Sequence, residues 1–94
     1  MKIIEIVTST CSVCKMLKSM IEKTVELFNI NLEVYIADTE EGSAMANKFL
    51  EKYNIKSVPA FFFMKDDEVI DTHFGAITMP VLKNKIETLK NYGK

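Results

Sequence analysis

The residues of this chain best equipped for covalent chemistry are Cys11 and Cys14, its two cysteines, three apart in Thr10-Cys11-Ser12-Val13-Cys14-Lys15. Two thiols at that spacing on the first turn of a helix lie within reach of a disulfide, and the unpaired N–H groups of the turn favour a thiolate on the first. A thiolate attacks a substrate disulfide, forms a mixed disulfide and is displaced when a second thiol attacks it. The pattern therefore suits dithiol exchange, with Cys11 as nucleophile and Cys14 as resolving thiol. Ser12 can add a hydroxyl or an N–H near the Cys11 sulfur. No His or Arg lies between the cysteines to depress the Cys11 pKa far, which predicts a reducing couple and not a strong oxidant. A zinc site needs about four ligands, and His73 is the only other strong candidate, so no metal and no bound cofactor are expected in a monomer. Two such cysteine pairs sharing zinc or an iron–sulfur cluster across a dimer is the alternative.

This chemistry requires a rigid strand-to-helix turn at Cys11, and the flanking residues supply one. Lys2 to Val7 is rich in Ile and Val, as a buried strand should be, and Thr8-Ser9-Thr10 offers hydroxyls to cap a helix. Val13, Leu17, Met20, Ile21, Val25 and Phe28 then repeat at helical spacing, with Met16 and Met20 read as core, while lysines and glutamates occupy the other side. Asn29 to Asn31 ends this helix, and Leu32 to Ile36 alternates as a second strand. The acidic turn from Asp38 to Ser43 can cap a second helix bearing Ala44, Met45, Phe49, Leu50 and Tyr53, which Asn54 stops. Ala60 to Met64 is an apolar run without alternation, expected to be a strand covered on both faces. Lys65-Asp66-Asp67 turns it into an antiparallel hairpin with Glu68 to Phe74, whose alternation puts His73 and Asp71 outside. Thr78 can cap a last helix with Pro80 in its first turn, Val81, Leu82, Ile86 and Leu89 on its apolar face, and Gly93 at its end.

Strands joined through helices are expected to run parallel, and the hairpin adds an antiparallel part. The fold class predicted is α/β, a four-stranded mixed sheet in the order βαβαββα with helices on both faces. With 94 residues, 48% of them hydrophobic, the chain is expected to form one domain over residues 1–94. Twelve basic and thirteen acidic residues give a net charge of −1 without a basic cluster, which points away from nucleic acid and anionic membranes. Glu5 interrupts the short apolar run at the N-terminus, so neither a signal peptide nor a membrane span is expected, and the predicted location is cytoplasmic. Two cysteines in a reducing compartment point to redox or metal chemistry, not to a structural staple.

The element order, with Cys-x-x-Cys opening the first helix and Val58-Pro59 opening the third strand, resembles the thioredoxin family over essentially the whole chain. Cys11-Ser12-Val13-Cys14-Lys15-Met16 is similar to its active-site run, Ser57-Val58-Pro59 to its cis-proline loop, and Phe74-Gly75-Ala76 to the loop beside that site. The chain lacks the extra N-terminal strand and helix of full-length members, and so resembles the minimal version found in glutaredoxins and short thioredoxin-like proteins. It departs from the family at Thr10, Ser12-Val13 and Ser19, where a Trp, a Gly-Pro and a helix-kinking Pro are usual.

The resemblance implies roles for further residues. Pro59 should follow a cis peptide bond and sit against the sulfurs, with the Val58 backbone pairing with an extended substrate. Thr10, Val13, Val58, Phe74 and Gly75 would form a small apolar lip around Cys11. Glu5 lies six residues before Cys11, where the family carries a buried carboxylate; buried, it would have a raised pKa and could take the Cys14 proton, and a solvent-facing Glu5 is the alternative. No lysine stands at the expected partner position on the second strand, where Val34 or Tyr35 is found. The implied function is reduction of protein disulfides, by a monomer fed by a thioredoxin-reductase-like donor. The rivals are a glutathione-dependent glutaredoxin, for which Gly75-Ala76-Ile77-Thr78 lacks the second glycine and the acid, and a non-catalytic binding module of the same fold.

Overall fold

β1 (Lys2–Val7) lies inside a four-stranded sheet of order β2-β1-β3-β4, formed with β2 (Asn31–Ile36), β3 (Ala60–Lys65) and β4 (Glu68–Phe74). The protein is described from a computed structural model covering residues 1–55 and 57–92, apart from the side chain of Leu50. Three helices, α1 (Ser12–Leu27), α2 (Glu40–Lys52) and α3 (Met79–Asn91), complete the predicted βαβαββα order among the described residues.

The strand directions differ in one respect from expectation. β1 and β2 are parallel, as a crossover through α1 requires, but β3 pairs antiparallel with β1 although it follows β2 through a helix. The register shows why. Ala60 opposes Ile6, so after α2 the chain has already returned to the end of the sheet where β1 finishes, and β3 must run back from there. The hairpin β3–β4 is antiparallel, with Asp66 in the left-handed region at φ 55° and a bulge between Phe63 and Met64.

Alternation along β1 divides the core. Ile3 packs with Ile21 and Val25 of α1, Leu82, Ile86 and Leu89 of α3, and Phe61 and Phe63 of β3. Ile4 and Ile6 face the other way, onto Ala46 and Phe49 of α2 and Phe62 of β3. β3 is buried on both faces, as its unbroken apolar run predicts, because helices cover both sides of it.

The helix ends follow side-chain chemistry with informative exceptions. Thr39 caps α2 and Thr78 caps α3, each hydroxyl accepting an N–H of the first turn, and Pro80 sits in that first turn. At α1 the cap is Cys11 itself, whose sulfur accepts the Cys14 N–H, and not one of the preceding hydroxyls. α1 stops at Leu27, before Asn29 at φ 56°, and Asn31 already belongs to β2. α2 ends at Lys52, short of Asn54. In α2 the buried small residue is Ala46, with Ala44 on the exposed side, and in α3 Val81 is 38% exposed; in each case the stripe facing the sheet is narrower than the apolar run. Gly93, expected to end α3, and the side chain of Leu50 lie outside the described residues. No described helix is long and apolar enough to cross a membrane.

Candidate active site

The site forms at the end of the sheet where β1 passes into α1. Cys11 and Cys14 are joined in a disulfide with their Cα atoms 5.3 Å apart, within the usual span for such a bridge. Cys11 is half-buried and Cys14 is 7% exposed, so one sulfur faces the surface and the other lies a turn deeper. The Cys14 backbone N–H points at the Cys11 sulfur over 3.1 Å. The same donor, together with the positive end of α1, would stabilise a thiolate on Cys11 after reduction. Ser12 and Val13, between the cysteines, are exposed, as is Thr10 before them.

A second loop fixes the approach to this turn. Asp38, after β2, accepts hydrogen bonds from both the N–H and the hydroxyl of Ser9, two residues before Cys11. The Ser9 hydroxyl is the main reason that the Asp38 carboxyl titrates below its ordinary range. Nothing in the sequence pattern flagged this pair, because its members are 29 residues apart and meet only through the β1–β2 crossover.

The third strand brings the remaining predicted residues to the same end of the sheet. The Val58-Pro59 peptide bond is cis, and Pro59 is buried. The Gly75 N–H donates to the Pro59 carbonyl over 2.8 Å, which holds the Phe74-Gly75 loop beside it. Gly75 has φ +93°, a conformation that suits glycine, and a Cβ there would meet the Ser57 hydroxyl at 3.3 Å. Val58 and Phe74 are half-buried. His73, expected at the surface, is half-buried opposite Phe61, and its Nε2 donates to the Ala76 carbonyl over 2.9 Å. Met16, expected in the core, is 75% exposed on α1, while Met20 does pack against the core.

Glu5 is buried, at 5% exposure, because its position on β1 faces α1. Burial is the main cause that lifts its pKa from 4.5 to about 7, and the negative charge of Glu22 adds to it. A cavity of about 540 Å³ separates Glu5 from α1. Val34 and Ile36 of β2 wall it on the sheet side, and Cys14, Lys18 and Glu22 on the helix side. Glu5 and Cys14 thus face the same cavity. Val34 occupies the β2 position opposite Glu5, so no cation reaches it from the sheet. No cluster of three or more His, Cys, Asp or Glu suited to a metal ion is present among the described residues.

A dithiol at a helix start, a buried carboxyl beneath it and a cis-proline loop at one end of a βαβαββα sheet agree with the comparison to known families. The family model described as Thioredoxin matches residues 1–88. The chain belongs to the thioredoxin family. Thioredoxin 1 of Synechococcus elongatus is 25% identical over 77 residues, covering 82% of this chain and 68% of that protein. The chloroplastic thioredoxin Y1 of Arabidopsis thaliana is 31% identical over the same length, but this chain spans only 42% of it. Among solved structures, thioredoxin 1 from Thermosipho africanus superposes with a TM-score of 0.78 at 25% identity, and each chain is covered completely. Family, fold and bridged dithiol together make the protein a thiol-disulfide oxidoreductase.

Proposed function

We propose that this protein reduces disulfides in other proteins, as a cytoplasmic monomer, and is returned to its dithiol form by a thioredoxin-reductase-like donor. The observation that carries the reading is the Cys11–Cys14 bridge, with the sulfur of the half-buried Cys11 capping α1 and that of the buried Cys14 a turn below. The Cys11 thiolate attacks one sulfur of the substrate, forming the mixed disulfide as the substrate S–S bond breaks and one substrate thiolate leaves. Cys14 loses its proton to Glu5, which faces the same cavity, and attacks the Cys11 sulfur. The second substrate thiolate leaves, two electrons have passed to the substrate, and the protein is in the bridged form. The donor dithiol then supplies two electrons.

Thr10, Ser12, Val13, Val58, Phe74 and Gly75 are proposed to receive the substrate segment around Cys11, with Pro59 bounding it. Support comes from their gathering at one end of the sheet, where Ile6 opposes Ala60 and Gly75 is bonded to Pro59. A buried carboxyl acceptor poised near neutral pH is well matched to a thiol proton.

The test is a trapping experiment. Cys14→Ser, incubated with oxidised insulin, is expected to accumulate a disulfide-linked complex at Cys11, and the intact dithiol protein to accelerate insulin reduction by dithiothreitol. Absence of both the adduct and the acceleration would leave a non-catalytic module as the reading. A reduction potential near about −270 mV would agree with a thioredoxin couple, and one of roughly −200 to −230 mV with glutathione-coupled chemistry.

A further inference from the structure

Two carboxylates share the cavity beneath Cys14, one buried on β1 and one exposed on α1. Glu5 makes no hydrogen bond that would hold its charge among the described residues. Its strand partners are Val34 on β2 and Phe61 on β3, so the sheet offers it neither cation nor donor. Besides Glu5 itself, the charged groups that line the cavity among the described residues come from α1: Lys15, Lys18 and Glu22. Cys14, Lys18 and Glu22 follow one another at intervals of four, which sets them in one row along the helix. Strand side chains close one side of the cavity, so part of the field between Glu22 and Glu5 runs through protein, which screens less than solvent.

We propose that Glu22 is a positioning residue, whose charge across the cavity governs when Glu5 can accept the Cys14 proton. The proposal rests on Glu5 being the proton acceptor of the resolving step, and it adds a second carboxylate that acts through the first. A negative charge at Glu22 keeps the proton on Glu5 to higher pH and so moves the acceptor toward the pH at which a thiol gives up its own. Lys15 and Lys18 oppose it from the same wall. This arrangement differs from a cation set beside the acid on the neighbouring strand, a place taken here by Val34.

Two measurements test the proposal separately from the reading beneath it. The first follows the Glu5 side-chain carboxyl carbon by NMR against pH in the bridged protein, where no thiol titrates. Glu22→Gln is expected to lower the Glu5 midpoint by roughly half a pH unit, the size of one partly solvated charge interaction. Glu22→Lys should lower it further, and about 1 M salt should shrink the difference between Glu22→Gln and the unaltered protein. Lys23→Gln, on the same helix but off the cavity wall, should leave it unchanged. An unmoved midpoint in Glu22→Gln overturns the proposal.

The second measures release of thionitrobenzoate from its mixed disulfide with Cys11, which reports attack by Cys14. Glu5→Gln should remove one inflection from the pH profile, and Glu22→Gln should displace that inflection by the same amount as the NMR midpoint. If Glu5→Gln leaves the profile intact, the proton-acceptor reading fails. If Glu5→Gln removes the inflection and Glu22→Gln leaves it in place, Glu22 alone is excluded.

Discussion

The two faces of β1 are built on opposite terms, although their residues alternate along a single strand. On the α2 side, Ile4 and Ile6 join a dense aromatic layer in which the Phe62 ring lies 4.3 Å from Phe49, 5.2 Å from Tyr53 and 6.0 Å from Phe74. On the α1 side, Ile3 joins a second buried cluster, but one residue further along that face stands Glu5, beside a cavity and the disulfide. A well-packed layer fixes where the strand lies. The fixed strand can then carry a buried acid that weakens the fold on its other face. The difference teaches where stability and chemistry are separated: by side-chain direction within one strand, and not by distance along the chain.

The contrast can be broken most severely from the packed side. Phe62→Ala, at a fully buried ring with three aromatic neighbours, is expected to cost about 3–5 kcal/mol in a urea unfolding titration of the bridged protein. A change under about 1 kcal/mol would mean that the layer does not anchor β1.

The opposite sign is expected from the reactive side. The unfolded Glu5 has an ordinary pKa near 4.5 and the folded one a pKa of about 7. Below about 4.5 both states hold the proton and the residue costs nothing by this route. Between the two values the folded state binds more proton than the unfolded, so stability falls as pH rises, and above about 7 the full cost remains. Glu5→Leu should therefore stabilise the bridged protein by roughly 3 kcal/mol at pH 8 relative to its effect at pH 4. The same substitution should slow the resolving step. A difference independent of pH would show that Glu5 is not desolvated.

Gly42 sharpens the comparison at the seam between α2 and the sheet. A Cβ there would lie 2.0 Å from the Ile36 carbonyl oxygen, against backbone that cannot yield without shifting the helix. Gly42→Ala is expected to cost about 1–3 kcal/mol, read as a lower denaturation midpoint. The smallest effect is at the cap of the same helix, where Thr39 accepts the Gly42 N–H over 3.0 Å. Thr39→Ala should cost about 1 kcal/mol in the same assay and leave the disulfide exchange rate unchanged.

The dithiol, the element order and the unbroken strand Ala60 to Met64 were legible because each depends on residues adjacent in the chain. The cap at Thr78 was legible for the same reason, since a cap is a local hydrogen bond, whereas the second helix could be assigned only to the turn Asp38 to Ser43 and the hydroxyls of Thr8 to Thr10 were expected where Cys11 caps α1. Met16 misled because an apolar residue one position off the stripe has the composition of core without its direction, and Ala44 misled in place of Ala46 in the same way. His73 was assigned from alternation alone, which cannot register a loop folding back so that Ala76 meets its ring.

What the sequence by itself determined is the chemistry and the local frame: a Cys-x-x-Cys at a strand-to-helix turn, the strands and helices around it, and a Pro at the start of β3. These follow from side-chain type and periodicity over a few residues. Only the tertiary structure decided that Glu5 is buried, that β3 runs against β1, that Ser9 is held by Asp38, and that Glu22 stands across a cavity from Glu5. Those features join residues 17 or more positions apart or depend on which helix covers which face. Burial, which sets the pKa of an acid, is a property of the assembled layers and is written in no single segment.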